Sequence, residues 1–175
     1  AGYSTTTGAG HVYMGYKAGY SSTTAGNPNV AIGYEAFYSN TSGEANVAIG
    51  RDALHAANAN YNTAVGEGSL SNTTTSNCTA IGFGAGYTNT TGGITALGYK
   101  SLYFNTTGTS NTAVGGSYNV EAPLQANTTG NNNIAIGQGT LQANTTGTDN
   151  TAVGYQALLT NTSGQYSTAL GRRAL

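Results

Sequence analysis

The chain has 175 residues, enough for one ordinary domain, but only 6% of them are charged, the net charge is −1, Trp is absent and Gly numbers 27. Leu, Ile, Val and Phe together stay below the ~20% that an ordinary globular core needs, yet the high net charge that accompanies disorder is missing too. Five scattered basic residues exclude a nucleic-acid footprint, no apolar run reaches the ~18 residues of a membrane span, and the single Cys78 forbids an internal disulfide framework or a cysteine zinc set.

In chain order the sequence is one repeat copied along its length. It opens on Ala1-Gly2-Tyr3-Ser4, equivalent to Ala18-Gly19-Tyr20-Ser21, and it stops on Gly171-Arg172-Arg173-Ala174-Leu175, the first half of a copy. Between them a Gly closes each copy of a short apolar run, at 15, 33, 50, 66, 82, 98, 115, 137, 154 and 171. The intervals are 16 to 18 residues, with one outlier of 22 between Gly115 and Gly137. Immediately before these pivots stand Met14, Ile32, Ile49, Val65, Ile81, Leu97, Val114, Ile136, Val153 and Leu170; two before stands Ala, with Tyr13 the exception. Three before stands Val, Thr or Ile. This is the period-2 alternation of a strand, and it places the aliphatic and the β-branched residue on one face and Ala on the other. We assign the aliphatic column from Ile32 to Leu170 to the core, and read the Ala column as a place of close approach.

Beyond each pivot the runs Tyr34-Glu35-Ala36-Phe37, Arg51-Asp52-Ala53-Leu54, Tyr99-Lys100-Ser101-Leu102 and Tyr155-Gln156-Ala157-Leu158 predict a second short strand whose fourth residue points inward. The Tyr residues after the pivot (Tyr16, Tyr34, Tyr99, Tyr155) and four further on (Tyr20, Tyr38, Tyr87, Tyr103) are expected to be buried between coils or chains. Turns follow at Asn40, Asn89, Asn105, Asn127, Asn144 and Asn161, each opening an Asn-Thr-Thr/Ser-Gly run suited to left-handed backbone. Stacking would set Asn over Asn at about 4.8 Å, in an amide ladder. The same runs are Asn-x-Ser/Thr sequons, so these six Asn are also candidate glycosylation sites. Gly-rich, β-branched sequence without a 3.6 period argues against helix. The reading is all-β: a single parallel β-solenoid over 1–175, of about ten 16–17-residue coils. No coil can offset its own ordering cost, so stacking and association with other copies are expected.

Asn46-Val47-Ala48-Ile49-Gly50-Arg51-Asp52-Ala53 and Thr95-Ala96-Leu97-Gly98-Tyr99-Lys100-Ser101 resemble the head repeats of YadA-like trimeric autotransporter adhesins. The longer form ending in Asn-Thr-Thr-Gly is similar to repeats of bacterial surface proteins and phage tail fibres. The resemblance covers essentially the whole chain and implies a left-handed β-roll, often trimeric, acting as a stalk or adhesive head, with no catalytic residues. The period here is longer than that family's, and neck, heptad and anchor segments are absent from these residues.

The long interval places an insertion at about 116–123, where solenoids put binding loops; Tyr118, Glu121 and Pro123 are its candidate contacts. Enzyme chemistry finds little material. The six acids sit in different coils or columns; Glu35 and Asp52, at equivalent positions of adjacent coils, read as a surface pair. His11 and Cys78 stand where other coils carry Asn, and no catalytic or metal set and no cofactor are expected. The sequence thus predicts a non-enzymatic structural fibre of a cell surface, extracellular matrix or virion. Its partners would be copies of itself, stacked head to tail or trimeric, and surface carbohydrate. The alternative is a receptor-binding segment of a tail fibre or adhesin head. A third reading, ice binding, rests on the column Thr63, Thr79, Thr95, Thr112, and its expected inward orientation weighs against it.

Overall fold

The computed structural model describes residues 1–4, 9–23, 26–118 and 121–175. Its strands are β1 (Val12–Met14), β2 (Val30–Ile32), β3 (Val47–Ile49), β4 (Thr63–Val65), β5 (Thr79–Ile81), β6 (Thr95–Leu97), β7 (Thr112–Val114), β8 (Ile134–Ile136), β9 (Thr151–Val153) and β10 (Thr168–Leu170). They form one ten-stranded sheet in strict chain order. Every neighbouring pair is parallel, and equivalent residues face each other, as in Ala48↔Ala64 and Ala135↔Ala152. A repeat without a register slip stacks its own backbone, so the chain is an all-β solenoid. Among the described residues there is no helix.

The second strand does not form. After each pivot the backbone alternates between right- and left-handed regions, with positive φ at Glu35 (51°) and Phe37 (58°), and again at Asp52 (55°) and Leu54 (50°). Left-handed backbone costs an L-residue roughly 1–2 kcal/mol. The curl it produces turns successive amides toward opposite neighbours. Glu35 N donates to Tyr16 O of the coil before (2.8 Å), and Phe37 N to Ala53 O of the coil after (2.9 Å). The backbone ladder thus continues round the corner, and these bonds offset the strain.

The core is the reverse of the expected one. The Ala column is fully buried from Ala31 to Ala152, while Ile49, Ile81, Ile136 and Leu170 are among the exposed apolar residues. Ile32, Val65, Leu97, Val114 and Val153, half-buried, share that outward face. The interior is only one large side chain thick, and the opposite wall already fills it with Phe37, Leu54, Leu70, Leu102, Leu124 and Leu141. Two exceptions show the limit. Where that wall carries Gly86, Ile94 and Leu70 close in, each 2.9 Å from where a Cβ would stand. Where it carries Gly19, the ring of Tyr13, the one non-Ala of its column, moves in. A large residue on one wall requires a small one on the other.

Two amide ladders complete the interior. At the strand entry, Asn46 and Asn62 take up backbone and side-chain bonds from coil to coil, with Asn46 N donating to Asn29 Oδ1 (2.9 Å) and Asn62 N to Asn46 Oδ1 (2.9 Å). At the turn, Asn105 Nδ2 donates to Asn89 Oδ1 (2.6 Å), Asn127 Nδ2 to Asn105 Oδ1 (2.7 Å) and Asn144 Nδ2 to Asn127 Oδ1 (2.8 Å). These ladders agree with the stacking expected of the turns.

The insertion is shorter than 116–123. Glu121 O accepts from Gly139 N (2.8 Å) and Pro123 O from Leu102 N (3.2 Å), so residues 121–124 belong to the regular wall. Pro123 is buried there, in the column otherwise held by Ala, Ser or Thr, and is not a loop contact. Pro suits this position because the amides of this column make no bond to a neighbouring coil, only a long turn bond within their own, as Ala53 N to Gly50 O at 3.4 Å.

Candidate functional site

The six turn asparagines do not form a glycan face. Asn40, Asn89, Asn105, Asn127 and Asn144 are fully buried with their amides turned into the coil, and Asn161, half-buried, sits in the last turn. A buried amide holding a ladder bond cannot accept a glycan without unstacking, so Asn89, Asn105, Asn127 and Asn144 are structural rungs and not glycan sites, and Asn40 is closed to a glycan by burial alone. Asn40 is the odd member: Ser22 and Ala57 flank it in the ladder, and its Nδ2 has no partner. The sequons with exposed Asn are those at Asn72 and Asn77.

His11 and Cys78 replace Asn without leaving the ladder. His11 Nδ1 accepts from Asn29 N (3.0 Å), and Cys78 N donates to Asn62 Oδ1 (2.9 Å). Burial pushes the Cys78 thiol up, outweighing the hydrogen bonds from Ile94, Thr73 and Asn89 that pull it down. A raised thiol contributes stability below its ordinary value of 9.0 that is lost as pH rises through its folded value. Native protein is therefore expected to resist iodoacetamide at pH 8 and to react fully once unfolded in urea, which mass spectrometry of the alkylated chain checks. Rapid labelling of the native chain would show that this coil opens.

Two surfaces remain open for function. The first is the outer face of the sheet, where the residues before and after each strand Ala project. All twenty side chains are Val, Thr, Ile, Leu or Met, and Val12, Met14, Ile49, Ile81, Ile134, Ile136 and Leu170 are its exposed large apolar residues. Thr63, Thr79, Thr95 and Thr112 are on this outer face and half-exposed, opposite to the inward orientation expected.

The second is the face built by the curled segments. Residues five after the pivot stack ring on ring: Tyr3 on Tyr20 (5.2 Å), Tyr20 on Tyr38 (5.2 Å), Tyr38 on His55 (5.2 Å) and, further along, Tyr87 on Tyr103 (5.1 Å). A parallel column runs beside it through Tyr16–Tyr34 and Phe83–Tyr99. These rings are at the surface and not buried between coils; Tyr16 is 59% exposed. Each ring of the main column leans back over the residue two after the preceding pivot. Tyr38 covers Lys17, with Nζ 5.4 Å from its centroid. His55 reaches Glu35 (3.5 Å), Tyr87 lies over Gly68 and Tyr103 over Gly84. Between Tyr3 and Tyr103, Ser71 is the missing rung, and the residue it leaves uncovered is Asp52; beyond Tyr103 the column continues without rings through Gln125, Gln142 and Leu159.

Around that gap lies a groove of about 520 Å³ lined by Asp52, His55, Glu67, Ser71, Tyr87 and their neighbours. Glu35, Asp52 and His55 bring donor atoms within 4.8 Å of one another. Glu35 is already engaged by Lys17 (3.7 Å) as well as His55, and Glu67 lies 3.9 Å from Arg51. Asp52 makes no ion pair among the described residues. Of the insertion contacts, Tyr118 is 85% exposed and tilts against Tyr99 at 6.0 Å. Glu121 instead accepts from Gln138 Nε2 and Gln156 Nε2, both at 3.1 Å, as part of the wall. Comparison with protein-family models, with curated proteins and with solved structures found no match to this chain.

Proposed function

We propose that the chain is a structural rod that associates side by side with copies of itself through the outer face of the sheet and presents its aromatic face for adhesion outside a cell or on a virion. The observation that carries the reading is the uncharged outer face. Ten aliphatic rungs, none bearing a charge, run along about 43 Å at the ~4.8 Å strand spacing. Exposed apolar surface of that continuity is what interaction sites have and monomer surfaces avoid. A second copy is the partner of matching chemistry and matching period, because its own rungs repeat at the same spacing. Lateral contact, closed as a dimer or trimer, is favoured over end-to-end stacking because the surface that needs covering lies along the side.

The outward Thr column gives ice binding a specific observation too. Its companion column offers Val65, Ile81, Leu97 and Val114 and no hydroxyl, so the apolar contact remains the better reading. Sedimentation of the wild type should give a multiple of the 17.6 kDa chain mass. Ile49→Lys with Ile81→Lys should give folded monomer, since two ammonium groups would be desolvated in the contact. A wild type monomeric at every concentration would sink the lateral reading, and thermal hysteresis that Thr79→Lys abolishes would put ice in its place.

A further inference from the structure

We propose that the gap left by Ser71 is a binding slot for one pyranose ring of a surface glycan, stacked between His55 and Tyr87 with its hydroxyls on Asp52. The proposal gives a ligand class to the adhesive part of the preceding reading. It rests on a face that the lateral contact does not use.

The height of the slot is set by the ladder. His55, Ser71 and Tyr87 are successive rungs: Ala56 N donates to Ser71 O (2.8 Å) and Asn72 N to Tyr87 O (3.1 Å). Filled rungs repeat at 5.1–5.2 Å between ring centroids. Two rungs without the middle ring therefore set the centroids of His55 and Tyr87 about 10 Å apart, which is room for one six-membered ring with a face toward each. Ser71, 6% exposed, forms the floor and cannot reach up to close the gap.

The chemistry of the edge selects the ring. At the filled positions the residue beneath is Lys17, Gly68 or Gly84, or Glu35 bonded to its own cover His55. Beneath the gap it is Asp52, a carboxylate without an ion pair, with Glu67 beside it in the groove. A carboxylate is an acceptor for two adjacent donors, and vicinal sugar hydroxyls present that pair. Phosphates and nucleotides would meet like charge, and a plain aromatic ring would leave the carboxylate buried and unpaired.

The test uses the full chain with saturation-transfer NMR and calorimetry, and as probes the methyl hexopyranosides of glucose, galactose, mannose, glucosamine and N-acetylglucosamine at about 1 mM. At least one should bind. Ser71→Tyr completes the ladder and should keep or raise the melting temperature while abolishing binding. Asp52→Asn and Tyr87→Ala should each weaken binding about ten-fold. No binding by any of the five sugars, undiminished binding by Ser71→Tyr, or binding of indole or phenol in place of sugars would each overturn the assignment. Asp52→Asn, at a half-exposed carboxylate, keeps the test open if Ser71→Tyr does not fold. The oligomeric mass is measured on the same samples: an intact oligomer that binds no sugar removes the slot alone, and a monomer that binds sugar removes the lateral contact alone.

Discussion

Gly82→Ala is expected to destroy the rod's integrity, and Gly171→Ala, the same change at the same place in the repeat, to be tolerated. Both glycines lie at φ values favoured by glycine, +133° and +121°. Strain of that kind costs about 1–3 kcal/mol at either site. What differs is the neighbour. A Cβ at Gly82 would stand 2.6 Å from both the carbonyl carbon and oxygen of Gly98 in the next coil, while one at Gly171 meets nothing within 4 Å. Backbone cannot yield as a side-chain tip can, so the coils must part and break the bonds that bracket the pivot, Gly82 N to Val65 O and Gly98 N to Ile81 O, both 2.7 Å. The cost at Gly82 should exceed about 4 kcal/mol, in the range reserved for gross packing faults. In a stack where each coil touches only its neighbours, the break leaves two short arrays that each lose a partner. Circular-dichroism melts and limited proteolysis check this. Gly82→Ala should melt early and be cut near the middle of the chain, and Gly171→Ala should lose only a few degrees. Equal melting of the two would mean that backbone proximity is not what keeps Gly in this column.

The pivots and columns were legible because a solenoid writes each contact into its period: register, turn position and amide stacking all follow from residues recurring at 16–17. The inside of the coil was not legible from alternation. Period 2 says that Ile49 and Val47 share a face and Ala48 the other, but it does not say which face is covered. Residue size suggested the aliphatics, and Leu54 and its equivalents were placed inside as well. Both cannot be, since the cavity between the walls holds one large side chain per coil. The sequence did contain the deciding signal. Tyr13 breaks the Ala column in the coil where Gly19 breaks the Leu column, and Ile94 precedes the strand whose neighbour on the Leu wall is Gly86. Paired exceptions of this sort identify columns that share a space. The slot was hidden for a different reason. Asp52, Ser71 and Tyr87 belong to three coils, and only the backward lean of each ring, which no linear pattern encodes, sets residue 71 over residue 52. The trace in the sequence was Ser71, the one break in the Tyr and His run that the column holds from Tyr3 to Tyr103, before it passes to Gln125, Gln142 and Leu159.

Asn127→Asp is expected to be a pH-dependent lesion, and Asn127→Leu a constant one. Asn127 is fully buried in the turn ladder; its Nδ2 donates to Asn105 Oδ1 (2.7 Å) and Gly130 O (3.0 Å), and its Oδ1 accepts from Asn144 Nδ2 (2.8 Å). Leu, with the same branch point but bulkier methyl ends, removes all three bonds. Some partners keep a second contact: Asn111 Nδ2 still reaches Gly130 O (2.7 Å), and Asn144 Nδ2 still reaches Gly147 O (3.1 Å). The expected loss is therefore about 1 kcal/mol per bond, roughly 3 kcal/mol in all, or about 6–12 °C in melting temperature at this chain length. Asp keeps the acceptor and loses both donors, and when ionised it faces Asn105 Oδ1 and Gly130 O with no cation in reach. Burial without a partner raises a carboxyl above its unfolded value of about 3.9. The contribution is then fully present below that value and lost as pH rises through the folded one. Asn127→Asp should consequently melt well below Asn127→Leu at pH 7, and draw level with it or pass it near pH 3.5, where the protonated carboxyl can donate to Asn105 Oδ1. Melts of both variants and the wild type across that range measure it. If Asn127→Asp matched the wild type at pH 7, the turn would be solvated and the amide column would not be the rod's second core.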